Sequence, residues 1–295
     1  MGFFYAFDRV CLLTDSTVND TQESIVSTIS IIGAGNMGSA LARGLIRSGK
    51  ADGKSLVLFD VDTAKTRSLA KELGAQTASN LQDALKPKTD VMILAVKPQT
   101  VGEVVEQLAP KIHEKPLVVS IAAGITTGSI LARLHADARV IRVMPNAATM
   151  VECGATALCK GGGADEEDLR KALDLFSSVG QAVVVDEKMM NAVTALSASG
   201  LGYLFVIMEA LTDGAVLMGM DRPTARSLTV QTVLGAATMA AAEGAPFSEL
   251  KDRITSPGGT TIAGLRILER SGLRGSIMEC IAAATRRGEE LQAKG

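Results

Sequence analysis

An α/β domain with a predominantly parallel sheet, followed by an all-helical domain, is the fold class this sequence predicts, and three observations predict it. Short aliphatic, β-branched runs without polar alternation recur from Ile29 to Val185, the mark of strands covered on both faces. Segments of helical period stand between them, so strand and helix alternate. After Asp186 the strand-like runs cease and only long helical periods remain.

Taken in order, Ile29 to Ile32 reads as a strand that enters a glycine loop directly. Met37 to Ile46 follows as a helix that buries Met37, Leu41, Leu45 and Ile46. Leu56 to Phe59 is a second strand, and Thr63 to Leu73 the helix that returns the chain. Asp90 to Val96 and Leu117 to Ile121 are the next strands, then Val140 to Met144, Ala155 to Leu158 and Ala182 to Val185. The helix Glu166 to Phe176 lies between the last two, with Asp165 as its N-cap and acids in its first turn. Beyond that come four helical stretches: Met189 to Met218, Pro223 to Ala242, Ile262 to Arg270 and Arg274 to Leu291. Pro223, just inside a helix start after Asp221, needs no N–H there.

The expected organisation is a leader without folded structure over 1–28, a dinucleotide-binding domain over 29–187 and a helical domain over 188–295. The segment Met1 to Phe7 is apolar, but Asp8, Arg9, Asp15, Asp20 and Glu23 make the leader unlike a secretory or transit peptide. The helical domain is rich in small residues, as in Gly235-Ala236-Ala237, which let helices approach closely. Its wide apolar faces are those of helices that pack on a second copy, so a dimer is expected.

Composition narrows the class. With no Trp, 2 Tyr and 7 Phe, the core must be built from aliphatic residues and Met. Thirty basic residues against thirty-two acidic ones, with no basic block, argue against nucleic acid as a partner. Cys11, Cys153, Cys159 and Cys280 form no close pair, which disfavours zinc, any other metal site or a disulfide scaffold and fits idle thiols in a reducing cytoplasm. The most apolar run, Leu201 to Met220, carries Glu209 and Asp213 and reads as a buried packing helix, not a membrane span.

The loop Gly33-Ala34-Gly35-Asn36-Met37-Gly38 has the dinucleotide spacing in the right setting of strand, loop, helix and second strand. Gly33 allows the turn, Gly35 lets the backbone approach a pyrophosphate, and Gly38 lets the helix pack on the sheet. Asp60, at the end of the second strand, can accept both adenosine ribose hydroxyls. With Asp62 it repels a 2′-phosphate, which leans towards NADH over NADPH, although Lys65 and Arg67 offset part of that repulsion. Asn80 is placed for the adenosine end, and Ala95-Val96-Lys97-Pro98 ends a buried strand where a cofactor crosses.

A second glycine-rich run, Ser256-Pro257-Gly258-Gly259-Thr260-Thr261, stands just before a helix and offers amides and hydroxyls to an anion. His113 and His135 lie in polar connections with no acid at triad or metal spacing and read as surface residues. No lysine occurs between Met189 and Leu250, so the helix expected to face a nicotinamide brings no strong base of the kind that oxidation of a hydroxyl demands. Reduction of a protonated C=N bond asks only for a hydride and a hydrogen-bonding hydroxyl. The amides of Gly258, Gly259 and Thr260 then suit a carboxylate, Thr261 the ring nitrogen, and Asn146 the orientation of the reacting pair.

With these segments the chain resembles the pyrroline-5-carboxylate reductase family from about Ile29 to Leu291. The resemblance rests on the first glycine loop, Ala95-Val96-Lys97-Pro98, Val119-Ser120-Ile121-Ala122-Ala123-Gly124, Arg142-Val143-Met144-Pro145-Asn146 and, above all, Lys251-Asp252 with Ser256 to Thr261. It implies a Rossmann-type domain, a helical dimerisation domain with active sites shared between subunits, and dimers that in some members assemble into pentamers of dimers. It further implies hydride transfer from NADPH or NADH to 1-pyrroline-5-carboxylate, giving L-proline. Carried over, Ser256 with Gly258 to Thr261 hold carboxylate and ring nitrogen, while Asn80 and Lys97 lie along the cofactor.

The chain departs from the family pattern at Pro145-Asn146-Ala147-Ala148 in place of Pro-Asn-Thr-Pro. It departs again at Ser197-Ala198-Ser199-Gly200-Leu201, which lacks the family's glycine and proline, and at Pro246-Phe247 in place of His-Pro. Three alternatives stay open at this point: a reductase of a related cyclic imino acid, a hydroxy-acid dehydrogenase of the same plan, and a dinucleotide-binding paralogue without turnover.

Overall fold

The computed structural model describes residues 28–293; the leader up to Ser27, with Cys11, and the side chain of His113 lie outside the described residues. The described chain forms two compact units, one of residues up to Ala198 and again from Ala284, the other Ser199–Ala283.

The first unit contains strands β1 Ile29–Ile32, β2 Leu56–Phe59, β3 Gln76–Thr77, β4 Val91–Leu94, β5 Leu117–Ser120, β6 Arg139–Met144, β7 Gly154–Gly162 and β8 Gly180–Val184. They form one sheet in the order β3-β2-β1-β4-β5-β6-β7-β8. Pairing is parallel from β3 to β6, β7 runs antiparallel to β6, and β8 runs parallel to β7. Connecting helices are α1 Asn36–Arg47, α2 Thr63–Leu73, α3 Leu81–Ala84, α4 Pro98–Leu108, α5 Thr127–Leu131 and α6 Glu166–Ser177.

The lack of alternation in the strands has its cause in two cores. Ile31, Ile93, Val119 and Ile141 pack with Leu41 and Leu45 of α1, Leu69 of α2 and Phe176 of α6. Their neighbours Ile32, Met92, Leu94, Val118 and Val140 pack on the other face with Leu81, Val101, Val105 and Ile130. Successive strand residues point to opposite faces, so both must be apolar. Each fully buried Ile or Leu contributes about 1.5–3 kcal/mol. One polar exception, Ser30, donates its hydroxyl to the Ala84 carbonyl at 2.7 Å. Asp165 caps α6 in a reciprocal box with Asp168, as its position predicts.

Strand boundaries differ from the sequence reading in each of β4 to β8, and two of the differences have a direct physical reason. β4 ends at Leu94 rather than Val96, because Lys97 caps α4 with Pro98 as its first residue and the chain must leave the sheet before them. β7 extends to Gly162 because Ala157–Gly162 pair along the whole of Arg139–Met144. Its glycines are needed there: a Cβ on Gly161 would lie 2.3 Å from the Cβ of Thr127.

A connector leaves β8 through Glu187 into α7 Met190–Val193 and a π-turn, Thr194–Ala198. Glu187 ties it back to the sheet: one carboxylate oxygen accepts from the Thr127 N–H at 2.8 Å and from Arg142 at 3.2 Å, the other from the Thr127 hydroxyl at 2.8 Å. The Arg142 side chain is only 3% exposed, and Glu187 is its one ion-pair partner among the described residues. Burial pushes the nearby Cys159 thiol up to about 11, with the Glu187 charge adding to the effect, which keeps that thiol protonated and inert.

The second unit comprises α8 Ser199–Leu217, α9 Arg222–Glu243, α10 Phe247–Arg253, α11 Thr260–Arg270 and the first part of α12 Leu273–Gln292, whose last turns belong to the first unit. Asp221 caps α9 through the Thr224 N–H at 3.1 Å. Helices α8 and α9 meet where the hydroxyls of Thr212 and Thr229 bond at 3.1 Å. The expectation of a buried packing helix over Leu201 to Met220 is corrected: within one chain Thr212 is the buried residue of α8, while Phe205, Val206 and Leu217 are exposed. A helix apolar on every side needs neighbours on every side, and among the described residues α9 lies against one side of α8. The stretch Glu187–Leu217 is long and apolar enough to cross a membrane, an 18-residue window of it having mean hydropathy 1.5.

Candidate active site

In this strand order the chain path reverses direction between β1 and β4, and ligands of open α/β sheets bind at the carboxyl ends of the strands beside such a point. The glycine loop leaves β1 there, and Ala95 to Pro98 leave β4 beside it. The two segments touch. Ala95 donates its N–H to the Ile32 carbonyl at 2.8 Å, and Gly33, at φ +112°, leaves no room for a Cβ, which would lie 2.4 Å from the Ala95 carbonyl oxygen. Gly38 is equally bound, because a Cβ would lie 2.0 Å from the Gly33 oxygen. Gly35 is different: nothing lies within 4 Å of the place where its Cβ would stand. It is also the N-cap of α1 without any side-chain cap, so the first-turn amides face that open space. A concave backbone surface with free amides at a helix N-terminus fits a pyrophosphate.

The acids after β2 are pinned. Asp60 accepts the Ala34 N–H at 2.6 Å and the Asp62 N–H at 2.9 Å, so it braces the glycine loop against the turn into α2. Asp62 caps α2 by accepting from Ala64 and Lys65, and those amide bonds hold its carboxyl below the ordinary range. Neither charge is free to swing away from a ligand. Asn80 caps α3: its amide oxygen accepts the Asp83 N–H at 2.9 Å and its nitrogen donates to the Asp83 carboxylate at 2.6 Å. Lys97 is exposed at the start of α4 and has no ion pair among the described residues.

The second glycine run forms a turn between α10 and α11. Gly259 donates its N–H to the Ser256 carbonyl at 3.1 Å, and Gly258 takes φ +69°. Gly259 caps α11 with no side-chain bond. The first helical bond is accepted by Gly259 from Ala263 at 3.3 Å, which leaves the amides of Thr260, Thr261 and Ile262 without helical partners. The cradle is therefore displaced along the chain from the sequence reading: the Gly259 amide is engaged in the turn, and the Ile262 amide joins it. No sequence signal short of the turn's hydrogen bonding distinguishes the two. The hydroxyls of Ser256, Thr260 and Thr261 make no hydrogen bond among the described residues, whereas Thr255 bonds back to the Lys251 carbonyl at 2.7 Å. A groove of about 680 Å³ opens beside Gly258 and Gly259, lined also by Lys251, Ile262 and Arg266.

A Cβ on Gly259 would lie 2.3 Å from the Ser256 hydroxyl oxygen. Gly259→Ala is expected to rotate that hydroxyl away and raise KM for a carboxylate substrate roughly 10-fold, with cofactor KM unchanged, in steady-state kinetics. Unchanged KM for both would show that the turn does not hold the carboxylate.

Asn146, read from sequence as facing substrate, is only 5% exposed, and its side chain is engaged at both ends. Its nitrogen donates to the Ser197 carbonyl inside the π-turn at 3.1 Å, and its oxygen accepts the Ala155 N–H at 3.1 Å. Neither the π-turn nor the Glu187 tie was foreseen in the sequence. The small cluster Ser197-Ala198-Ser199-Gly200 in the middle of a helical period was the available signal for the first.

Residues 187–291 match the family model for pyrroline-5-carboxylate reductase dimerisation, and residues 28–124 match that for coenzyme F420-dependent NADP oxidoreductases. The chain is 44% identical to a pyrroline-5-carboxylate reductase of Methanosarcina acetivorans over 90% of its own length and 98% of that protein. It is 40% identical to the enzyme of Pisum sativum over 90% of this chain and 96% of that one. Among solved structures, a pyrroline-5-carboxylate reductase of Coxiella burnetii superimposes with a TM-score of 0.86 at 36% identity, covering 90% of this chain and 98% of that one. The Plasmodium falciparum pyrroline carboxylate reductase with NADP bound gives 0.79 at 27% identity, covering 91% and 99%.

Proposed function

This chain belongs to the pyrroline-5-carboxylate reductase family, and we infer from that premise how its residues serve the reduction of 1-pyrroline-5-carboxylate to L-proline, the last step of proline biosynthesis. The reaction moves a hydride from NAD(P)H to the carbon of the C=N bond and leaves a proton on the nitrogen. The observation that carries the reading is a pair of glycine-built anion sites, one at a sheet switch point and one at the start of α11.

We propose that Gly33 to Gly38 hold the pyrophosphate, with the first-turn amides of α1 donating to it. Asp60 and Asn80 border the adenosine end, and Ala95 to Pro98 line the path towards the nicotinamide. In the helical part, Ser256, Gly258 and Gly259 shape the turn of the cradle, the amides of Thr260, Thr261 and Ile262 donate to the substrate carboxylate, and Thr261 places its hydroxyl at the ring nitrogen. The proposed division is a dinucleotide-binding domain over 29–187 and a helical dimerisation and substrate-binding domain over 188–295. Purified protein with either reduced nicotinamide and the cyclic imino acid should lose absorbance at the reduced-nicotinamide band. Cofactor binding without that loss would mean a paralogue that no longer turns over.

For cofactor choice, the pinned carboxylates of Asp60 and Asp62 favour ribose hydroxyls over a 2′-phosphate. The expected kcat/KM is about 10-fold higher with NADH than with NADPH, and Asp62→Ala narrows that ratio. A strong preference for NADPH in the unaltered enzyme overturns this assignment.

The exposed apolar residues of the helical unit, among them Phe205, Leu217, Met218 and Met278, support a homodimer in which a second copy covers them, and pentamers of dimers follow the family resemblance. The apolar stretch Glu187–Leu217 lies within the match to the dimerisation family, which supports subunit contact and a cytoplasmic location over a membrane span.

A further inference from the structure

Asn146 follows the carboxyl end of β6, and its side chain enters the helical ladder of the connector at Ser197. A side chain inserted into a helix's carbonyl ladder is one of the few causes of a local change in helical pitch. The π-turn Thr194–Ala198 sits where that insertion occurs, and such turns concentrate at functional sites. Asn146 is well placed to hold it. Its oxygen is fixed by the Ala155 N–H of β7, and its own carbonyl accepts the Thr149 N–H at 3.1 Å, so the amide cannot turn without breaking bonds in a buried place.

The π-turn borders a cavity. A groove of about 660 Å³ is lined by Pro98 at the start of α4, by Ala123 and Gly124 after β5, and by Asn191 and Thr194 of the connector. Thr194, the first residue of the π-turn, therefore faces the same space as the strand-end segments that carry the cofactor. Gly288 of α12 lines the same groove and presses on Asn191, where a Cβ would lie 3.3 Å from the asparagine's own Cβ, and Gln292 accepts from Asn191 at 3.2 Å. The connector is thus backed by α12 and pinned by Asn146.

We propose that Asn146 is a positioning residue for the reduction: by holding the Ser197 carbonyl it keeps the connector in its π form and sets the wall of the groove at the strand ends. This rests on the family reaction proposed above. Return of Thr194–Ala198 to ordinary helix would remove the extra residue from the turn and shift Thr194 at the wall of the groove. Asn146 acts through the connector and touches neither the hydride donor nor the imino acid, so its loss falls on turnover rather than on binding.

The test uses the full-length enzyme with Asn146→Ala and Asn146→Asp, read by steady-state kinetics between pH 8 and pH 5 and by hydrogen exchange of the segment 193–199. Asn146→Ala is expected to lower kcat about 10-fold with both KM values within about threefold, and to speed exchange in that segment. Asn146→Asp keeps the acceptor for Ala155 but has a donor for Ser197 only when protonated. Its kcat relative to the unaltered enzyme at the same pH should therefore rise as pH falls. A rise in imino-acid KM with kcat and exchange unaltered would assign Asn146 to direct substrate contact and overturn the proposal. So would an Asn146→Asp enzyme whose relative kcat is flat with pH. If Asn146→Ala does not fold, the Asp variant and its exchange profile decide the question alone. Absence of imine reduction in the unaltered enzyme would instead count against the family reaction, and the exchange result would still report on the connector.

Discussion

Replacing Thr261 by alanine is expected to lower kcat roughly 100-fold while cofactor affinity stays within about twofold. The hydroxyl stands in the first turn of α11, on a half-buried residue, and makes no hydrogen bond among the described residues. Threonines elsewhere in these helices behave differently: Thr212 and Thr238 each return a hydroxyl to a helix carbonyl at 2.8 Å. An unengaged hydroxyl beside free first-turn amides is available to a ligand. During reduction the ring nitrogen changes from an iminium to an amine, and a hydroxyl aligned with it in the transition state lowers the barrier without tightening ground-state binding. Thr261→Ser retains the oxygen and should keep most of the rate. Stopped-flow or steady-state kinetics with cofactor titration by fluorescence separates the two effects. Loss of cofactor affinity in parallel with kcat would place Thr261 in the wrong role.

Glu187→Ala is expected to cost about 3–5 kcal/mol of stability, the largest loss of any single substitution considered. Removing the carboxylate leaves the Arg142 guanidinium charged and unpaired at 3% exposure, and strips the acceptors from both the N–H and the hydroxyl of Thr127. The pair therefore matters less for its own attraction than for the penalty of breaking it. Glu187→Gln retains one acceptor oxygen, enough for the Thr127 N–H, and turns an NH2 towards the Thr127 hydroxyl; it should fall between the two, because it still leaves Arg142 without this countercharge. Denaturant or thermal unfolding followed at fixed protein concentration measures the difference; an Ala variant within about 0.5 kcal/mol of the original would show that water compensates Arg142. The connector that carries Glu187 also carries the π-turn, so loss of this tie should speed hydrogen exchange over both.

Much of the first unit was legible because its determinants are local. The strands are short and unmixed, the capping acids Asp165 and Asp221 precede their helices directly, and helix Thr63–Leu73 has the limits its periodicity predicts. Helices α3, α4 and α5 were not foreseen, since two are four or five residues long and the third opens on Pro98, which reads as readily as a strand breaker. The exposure of α8 escaped the sequence for another reason. Hydropathy reports that a helix needs cover, and it cannot say whether the cover comes from the same chain or from a second copy.

The sequence by itself determined the two glycine sites. Gly33, Gly38 and Gly258 are demanded by backbone angles and close approaches set within a few residues or by the adjoining strand, and such constraints are written directly into residue type. Only the tertiary structure decided what Asp60, Asn146 and Glu187 do. Asp60 braces Ala34, Asn146 holds Ser197, and Glu187 joins Thr127 to Arg142. Each of these polar groups answers a partner brought near by the path of the chain through the sheet, and in a partly buried place the nearest available partner, not the residue's own type, fixes its role.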